Sequence, residues 1–179
     1  VQAALTGHLV FSTLHTNDAA GTFPRLIDMG ISADILGASV TVAMAQRLVR
    51  RLCPLCRAPK PIIGDDLKMI VPLLKNIPHE DELPENRDTM WTAIGCEKCG
   101  GLGYKGRIAI VEVILMDHII ETAVRTTSSE REIWQAAKHQ KIRRMAQDGV
   151  VKVLQGVTSL DELGRVVDLH DEGMLETIA

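Results

Sequence analysis

The chain has 179 residues, of which 46% are hydrophobic and 24% charged, with a formal net charge of −3. That composition supplies a buried core and excludes a disordered or collagen-like chain. Near-neutral charge and only two Trp, one Tyr and two Phe argue against a nucleic-acid groove, which needs basic surface and stacking platforms. No apolar run reaches the length of about 18 residues that a membrane helix requires. The longest, Ile108 to Met116, is broken by Glu112. No basic stretch followed by an apolar one opens the chain, so no secretory leader is read. Val1 rather than Met stands first, and the chain is read as part of something longer.

In chain order, Leu9 to Leu14 is β-branched and apolar and predicts a short buried strand. Asn17 or Asp18 can cap a helix after it. Pro24 disfavours a helix interior, so that helix is expected either to begin near Thr22 or to carry a kink, and to end at Gly30. Ser32 opens an Ala-rich helical stretch. Ala43 to Leu52 is ambiguous between helix and strand. Residues 53–105 hold six of the seven prolines and read as an inserted subdomain, with a short helix over Asp65–Leu74. Gly106 to Met116 is the most strand-like run. If it neighbours Ala43–Leu52, the insertion is a long excursion from a hairpin. Asp117 then caps a helix over Ile119–Val124, and Ser129-x-x-Glu132 is a capping box. Ile142, Met145, Ala146, Gly149, Val150 and Val153 share one helical face ending near Gly156. Arg143 and Arg144 are expected on its solvated side. Ser159-x-x-Glu162 opens a further helix.

The cysteines are the sharpest chemical signal. Cys53, Cys56, Cys96 and Cys99 form two C-x-x-C knuckles with 39 residues between them and no cysteine left over. That pattern predicts a tetrahedral four-thiolate Zn²⁺ site. With every ligand from protein, no position stays open for water, so the site is structural. The hairpin excursion would bring both knuckles to one end. Arg50, Arg51, Arg57, Lys60 and Lys98 lie close in sequence and can balance the thiolate charge. Gly101, Gly103 and Gly106 spell G-x-G-x-x-G, but a knuckle precedes them and a β-rich run follows, so the dinucleotide fingerprint is rejected. A P-loop is absent, because Arg107 and Ile108 stand where Lys and Ser or Thr belong.

His8 and His15 flank the Leu9–Leu14 run, and spacing alone leaves them open between a site and two hydrogen-bonded histidines. The surrounding sequence carries more. GHLVFSTLHTNDA (Gly7–Ala19) resembles the histidine box of the traffic ATPases of type II secretion and type IV pilus assembly. PRLIDMGI, AQRLVRRLCPLC, CEKCGGLGYKGRIAIVEVI and MAQDGVVKVLQGVTSLDEL follow in that family's order, up to about Val167. The resemblance implies an α/β fold: the C-terminal portion of a RecA-like P-loop NTPase core, an inserted tetracysteine zinc subdomain and a C-terminal helical bundle. It divides the chain into 1–52 (core with histidine box), 53–105 (zinc insertion), 106–116 (returning core strand) and 117–179 (helical subdomain). It implies a hexameric, cytoplasmic ATPase peripheral to the bacterial inner membrane, using ATP and Mg²⁺. Its partners would be the other subunits of the homohexamer, a membrane platform protein and cytoplasmic docking proteins. By the same resemblance, His8 and His15 sense the nucleotide and Cys53, Cys56, Cys96 and Cys99 hold structural Zn²⁺. The cysteine insertion favours an assembly or secretion motor over a retraction motor.

In that family the Walker A loop and the Walker B carboxylate precede the histidine box, and neither is present here. The chain alone is therefore expected not to hydrolyse ATP. Two other readings compete. One is a stand-alone zinc-stabilised interaction module without catalysis. The other is a nucleic-acid-binding zinc ribbon, supported only by Arg47, Arg50, Arg51 and Arg57, and no nucleic-acid partner is expected.

Overall fold

A computed structural model describes residues 1–75 and 77–169, and its elements mix helix and strand. They are, in order, α1 (Gln2–Leu5), α2 (Thr22–Asp28), α3 (Ala33–Ser39), β1 (Val42–Leu52), β2 (Ala58–Pro61) and α4 (Asp65–Leu74). β3 (Thr89–Thr92), β4 (Tyr104–Leu115), α5 (His118–Thr126), α6 (Glu130–Ala137), α7 (Met145–Leu154) and α8 (Leu160–Leu163) follow. β1 pairs with β4 in one two-stranded sheet and β2 with β3 in another. The chain forms two compact units, one from residues 1–45 with 112–142, the other from 46–111 with the chain from Arg143 onward.

In the first unit, Phe23, Leu36, Ile114, Ile120 and Ile133 are fully buried. α2 begins at Thr22 with Pro24 in its first turn, where the missing N–H costs no helical bond. It ends at Asp28, and Gly30 just beyond the cap, with φ 89°, lets Ile31 N reach back to Leu26 O. Ser32 caps α3 through Asp34 N and Ser129 caps α6 through Glu132 N. Asp18 caps differently from expectation: its Oδ1 accepts from Gly21 N, one residue ahead of α2. Glu112, which interrupts the apolar run in the sequence, is 2% exposed, and its Oε1 accepts from Ala19 N at 2.7 Å. A buried carboxylate keeps its place only when its oxygens are occupied.

The expected strand over Leu9–Leu14 does not form. The segment is irregular, with Leu9 85% and Phe11 88% exposed. A strand needs a hydrogen-bonding neighbour along its length, and none of the four described strands lies against it.

In the second unit Val49, Ile70, Ile110, Val150, Val153 and Leu163 are buried to within 1%. α7 begins at Met145, so Ile142 precedes the helix rather than opening it. Gly149 lets α8 approach: a Cβ there would come within 2.9 Å of Leu163 Cδ2. Arg143 is not on a solvated face. Its side chain is 11% exposed and donates to Pro78 O at 3.0 Å, His79 O at 2.6 Å and Glu82 at 2.7 Å. Helical periodicity is silent about a loop some 60 residues upstream that supplies acceptors. Arg144 is likewise only partly exposed, and its backbone N donates to Gln147 Oε1 at 3.0 Å.

Asp117 organises the start of α5. Its Oδ1 accepts from Ile119 N and Ile120 N, both at 3.0 Å, and its Oδ2 meets His139 Nε2 at 2.6 Å and Gln140 Nε2 at 2.8 Å. Although partial desolvation opposes it, these donors together pull the Asp117 carboxyl down to about 2. His139 Nδ1 faces Ala136 O at 2.7 Å, so both ring nitrogens meet acceptors. The carbonyl of Ala136, then Asp117, raises the His139 pKa. A raised histidine stabilises below its unfolded pKa of about 6.5, and that contribution is lost as pH rises through the folded value. Denaturant midpoints should therefore fall as pH rises above about 6.5, and His139→Gln should flatten that slope. The depressed Asp117 adds a separate loss in acid, as pH falls through its folded value of about 2.

Candidate metal centre

The four cysteines sit at strand ends. β1 stops at Leu52 and Cys53 follows at once; β2 begins two residues after Cys56. β3 ends at Thr92 ahead of Cys96, and β4 starts at Tyr104 after Cys99. Each C-x-x-C is thus a turn between strands. β2 pairs antiparallel with β3, Ala58 opposite Thr92, and Cys53 N donates to Gly103 O at 2.9 Å. The two ladders carry both turns to one place.

All four Sγ atoms lie within 4.8 Å of one another. Cys53–Cys96 is 4.0 Å, Cys56–Cys99 3.8 Å and Cys96–Cys99 3.7 Å. Zn–S bonds of about 2.3 Å at tetrahedral angles give S–S edges of about 3.8 Å. The spacing fits a Zn²⁺-sized ion held by four sulfurs, and all four cysteines are free thiols. The local backbone also favours thiolate. Cys96 N and Gly103 N each donate to Cys99 Sγ at 3.2 Å. The Cys96 amide leads in pulling the Cys99 thiol down to about 6, and Gly103 adds to it. Desolvation pushes the Cys56 thiol up to about 12, and the neighbouring thiols add to it. One sulfur is primed to ionise and another resists, as expected where neighbouring thiols compete for the same few donors.

Gly101, Gly103 and Gly106 all have positive φ; the first two lead into β4 and the third lies within it, so no helix follows the glycine pattern. Pairings the sequence did not reveal hold the knuckle to α7 and α8. Arg57 stacks on Trp91, 4.5 Å from the ring centroid, and donates to Gly156 O. Gly156 has φ 69°, and an added Cβ would strike Trp91. Arg50 lies 4.2 Å over Tyr104, whose hydroxyl meets Ser159 Oγ at 2.6 Å. Glu162 accepts from Arg50 N at 3.0 Å, Nε at 2.9 Å and Nη2 at 2.5 Å. These bonds hold the Glu162 carboxyl below the usual carboxylate range and raise Arg50.

The histidines lie elsewhere. His8 and His15 are exposed in the irregular segment before α2. His8 Nδ1 lies 3.0 Å from Thr6 Oγ1 and 3.3 Å from Ala3 O, both local contacts. Among the described residues, only the four cysteines gather into a metal-ligating group.

A family model described as "Type II/IV secretion system protein" matches residues 1–165. The chain belongs to this family. It is 44% identical over 169 residues to the type II secretion system protein E of Aeromonas hydrophila, covering 93% of this chain and 31% of that protein. It is 39% identical over 168 residues to the type II secretion system ATPase E of Vibrio cholerae, covering 93% and 31%. It is 39% identical over 169 residues to the type IV pilus assembly ATPase PilB of Thermus thermophilus, covering 93% and 18%. The chain therefore spans less than a third of these relatives.

The purified family member should carry one zinc per chain by elemental analysis. Cys99→Ser or Cys53→Ser should abolish it and open residues 53–60 and 93–105 to protease. Arg50→Ala should keep the metal but lower stability by about 2 kcal/mol, because the buried Glu162 carboxylate then keeps only the residue-50 backbone amide and Arg165 at 3.9 Å. Denaturant unfolding with parallel metal assay separates the two effects.

Proposed function

We propose that this chain is the segment of a secretion or pilus-assembly ATPase that carries its histidine box and its zinc knuckle. The observation that carries the reading is the tetrahedral spacing of four sulfurs inside a chain matched to the secretion family along nearly its whole length. Relatives named as secretion and pilus-assembly ATPases support an ATP-driven role for the whole protein. In this reading, residues 1–52 and 106–116 belong to a RecA-like core, 53–105 form the zinc insertion, and 117–169 belong to a helical subdomain. The last stretch of that subdomain, 170–179, lies outside the described residues.

Bound zinc would supply a fixed cross-link between the two knuckles. The protein groups do the rest: Arg57, Trp91 and Gly156 pass that rigidity to the end of α7, and Arg50 with Glu162 ties β1 to α8. His8 and His15 are proposed to meet the terminal phosphate of ATP, as hydrogen-bonding imidazoles that read whether it is present. Their exposure supports this, since neither ring is committed to the core. The whole protein is proposed to work as a hexamer with Mg²⁺-ATP, on the cytoplasmic side of the inner membrane, against a membrane platform and docking proteins. Among the described residues no helix is long and apolar enough to cross a membrane.

The chain has no Lys-Ser/Thr phosphate cradle, so we propose that it does not turn over ATP by itself. Phosphate release from Mg²⁺-ATP by the purified chain should match a buffer blank. Magnesium-dependent turnover that scales with protein and is lost in the His15→Ala variant would overturn this division of labour.

A further inference from the structure

Each C-x-x-C turn turns one sulfur toward solvent and keeps the other inside. In the first, Cys53 is 1% exposed and Cys56 half-buried; in the second, Cys99 is 9% exposed and Cys96 half-buried. The contacts between the turns cross these two classes. Cys53 Sγ meets Cys96 Sγ at 4.0 Å, and Cys56 Sγ meets Cys99 Sγ at 3.8 Å. Each accessible sulfur therefore faces a buried one from the other turn, and the two contacts together use all four. A cysteine open to an oxidant with a resolving thiol at its side is the pattern of a redox-sensitive site. Cations stand close in the sequence, as they do around reactive cysteines. Arg57 adjoins Cys56 and Lys98 lies two places after Cys96, while Glu97 is the one carboxylate within two residues of any of the four.

We propose that the cysteine cluster is an oxidation site for hydroperoxides, where bound zinc is exchanged for two crossed disulfides, Cys53–Cys96 and Cys56–Cys99. The Cys96 thiolate attacks hydrogen peroxide. An S–O bond forms, the O–O bond breaks, and the hydroxide that leaves takes a proton to become water. The Cys53 thiolate then attacks Cys96 Sγ. An S–S bond forms, the S–O bond breaks, and a second hydroxide leaves and is protonated to water. Cys56 and Cys99 do the same with a second peroxide. Each bridge consumes one peroxide and two protons. Its two sulfurs lose one electron each, and the peroxide is reduced to two waters. With all four thiolates consumed, the divalent ion is set free.

A bridge inside the second turn competes, since Cys96 Sγ also lies 3.7 Å from Cys99 Sγ. C-x-x-C dithiols form comparatively oxidising disulfides, whereas bridges that tie distant segments of a folded chain resist reduction. All four sulfurs lie within 4.8 Å of one another, close enough for thiol–disulfide exchange to sort the isomers. The ladders of β1 on β4 and of β2 on β3 hold the two turns together meanwhile, so the crossed partners stay in contact. Crossed bridges also keep the turns joined once the metal is gone. The exchange rests on the metal reading above; the bridging does not.

The test treats the purified chain, its zinc first measured by elemental analysis, with hydrogen peroxide. A chromogenic zinc chelator, a thiol count in denaturant and a tryptic map without reductant give the readouts. Zinc should fall from one per chain to near none while the thiols fall from four to none, and dithiothreitol with added zinc should restore both. Trypsin cuts after Arg51, Arg57, Arg87, Lys98 and Lys105, which leaves Cys53 and Cys56 on one peptide and Cys96 and Cys99 on two others. Crossed bridges join the three into one species about 4 Da lighter than its reduced parts, and fragmentation between Cys53 and Cys56 assigns each partner. Peptide 88–98 joined only to 99–105 overturns the proposal, as do fragments that pair Cys53 with Cys99 or sulfinic and sulfonic masses on the cysteines. A zinc-loaded chain that keeps its metal and its thiols in peroxide overturns the oxidation site and leaves the metal reading intact. A chain purified without zinc that still yields the three-peptide species supports the oxidation site and fails the metal reading.

Discussion

Four sulfurs have to meet within 4.8 Å although 39 residues separate the two pairs that supply them. That constraint organises everything around the knuckles. A C-x-x-C turn brings two thiols together cheaply, because it is local. Bringing two such turns together is expensive in chain entropy unless something else closes the loop. Here the strands close it: β1 on β4 and β2 on β3 form two ladders whose ends coincide at the cysteines. Backbone hydrogen bonds therefore do the long-range work, and a metal would lock an arrangement already reached. The amides of Cys96 and Gly103 on Cys99 Sγ show the same division, with the backbone preparing a thiolate.

The knuckle is then tied to the helices by polar contacts that each use more than one property of a side chain. Arg57 spends its planar face on Trp91 and its N–H on Gly156 O. Arg50 does likewise, with its face on Tyr104 and its fork on Glu162. Lys could supply the charge but neither the stacking nor the fork. Glu162 is buried, and its three bonds from Arg50 are what make that burial tolerable. In the other unit Glu112 follows the same rule with Ala19 N.

What could be read from the sequence is what is local in it. Ser32, Asp117, Ser129 and Ser159 were legible as caps because a cap and its amides lie within three residues. Gly30 and Gly156 were legible as helix ends for the same reason. The four-sulfur cluster was legible because C-x-x-C is local twice over and four cysteines exhaust the supply. The failures are non-local. Leu9–Leu14 has strand composition, but composition cannot provide a ladder partner. Arg143 lies at the edge of a helical pattern, and its acceptors at Pro78, His79 and Glu82 cannot be inferred from periodicity. The Arg50–Glu162 pair spans 112 positions, and nothing in either neighbourhood names the other. His8 and His15 are the intermediate case: their residue types and spacing left them open, and the nucleotide role proposed for them rests on the surrounding family motifs alone.

The glycines between Gly95 and Gly106 show how one stretch can satisfy several demands. Gly95 and Gly103 are needed where two backbones touch, since a side chain on either would strike the facing segment. Gly100 and Gly101 allow the left-handed turn that follows Cys99. With the backbone so constrained, few side chains remain to be buried there, and those left over point outward. Ile94 and Leu102 are exposed because the turn that gathers the sulfurs has no interior to receive them. A metal-sized cluster is too small to have a hydrophobic core of its own.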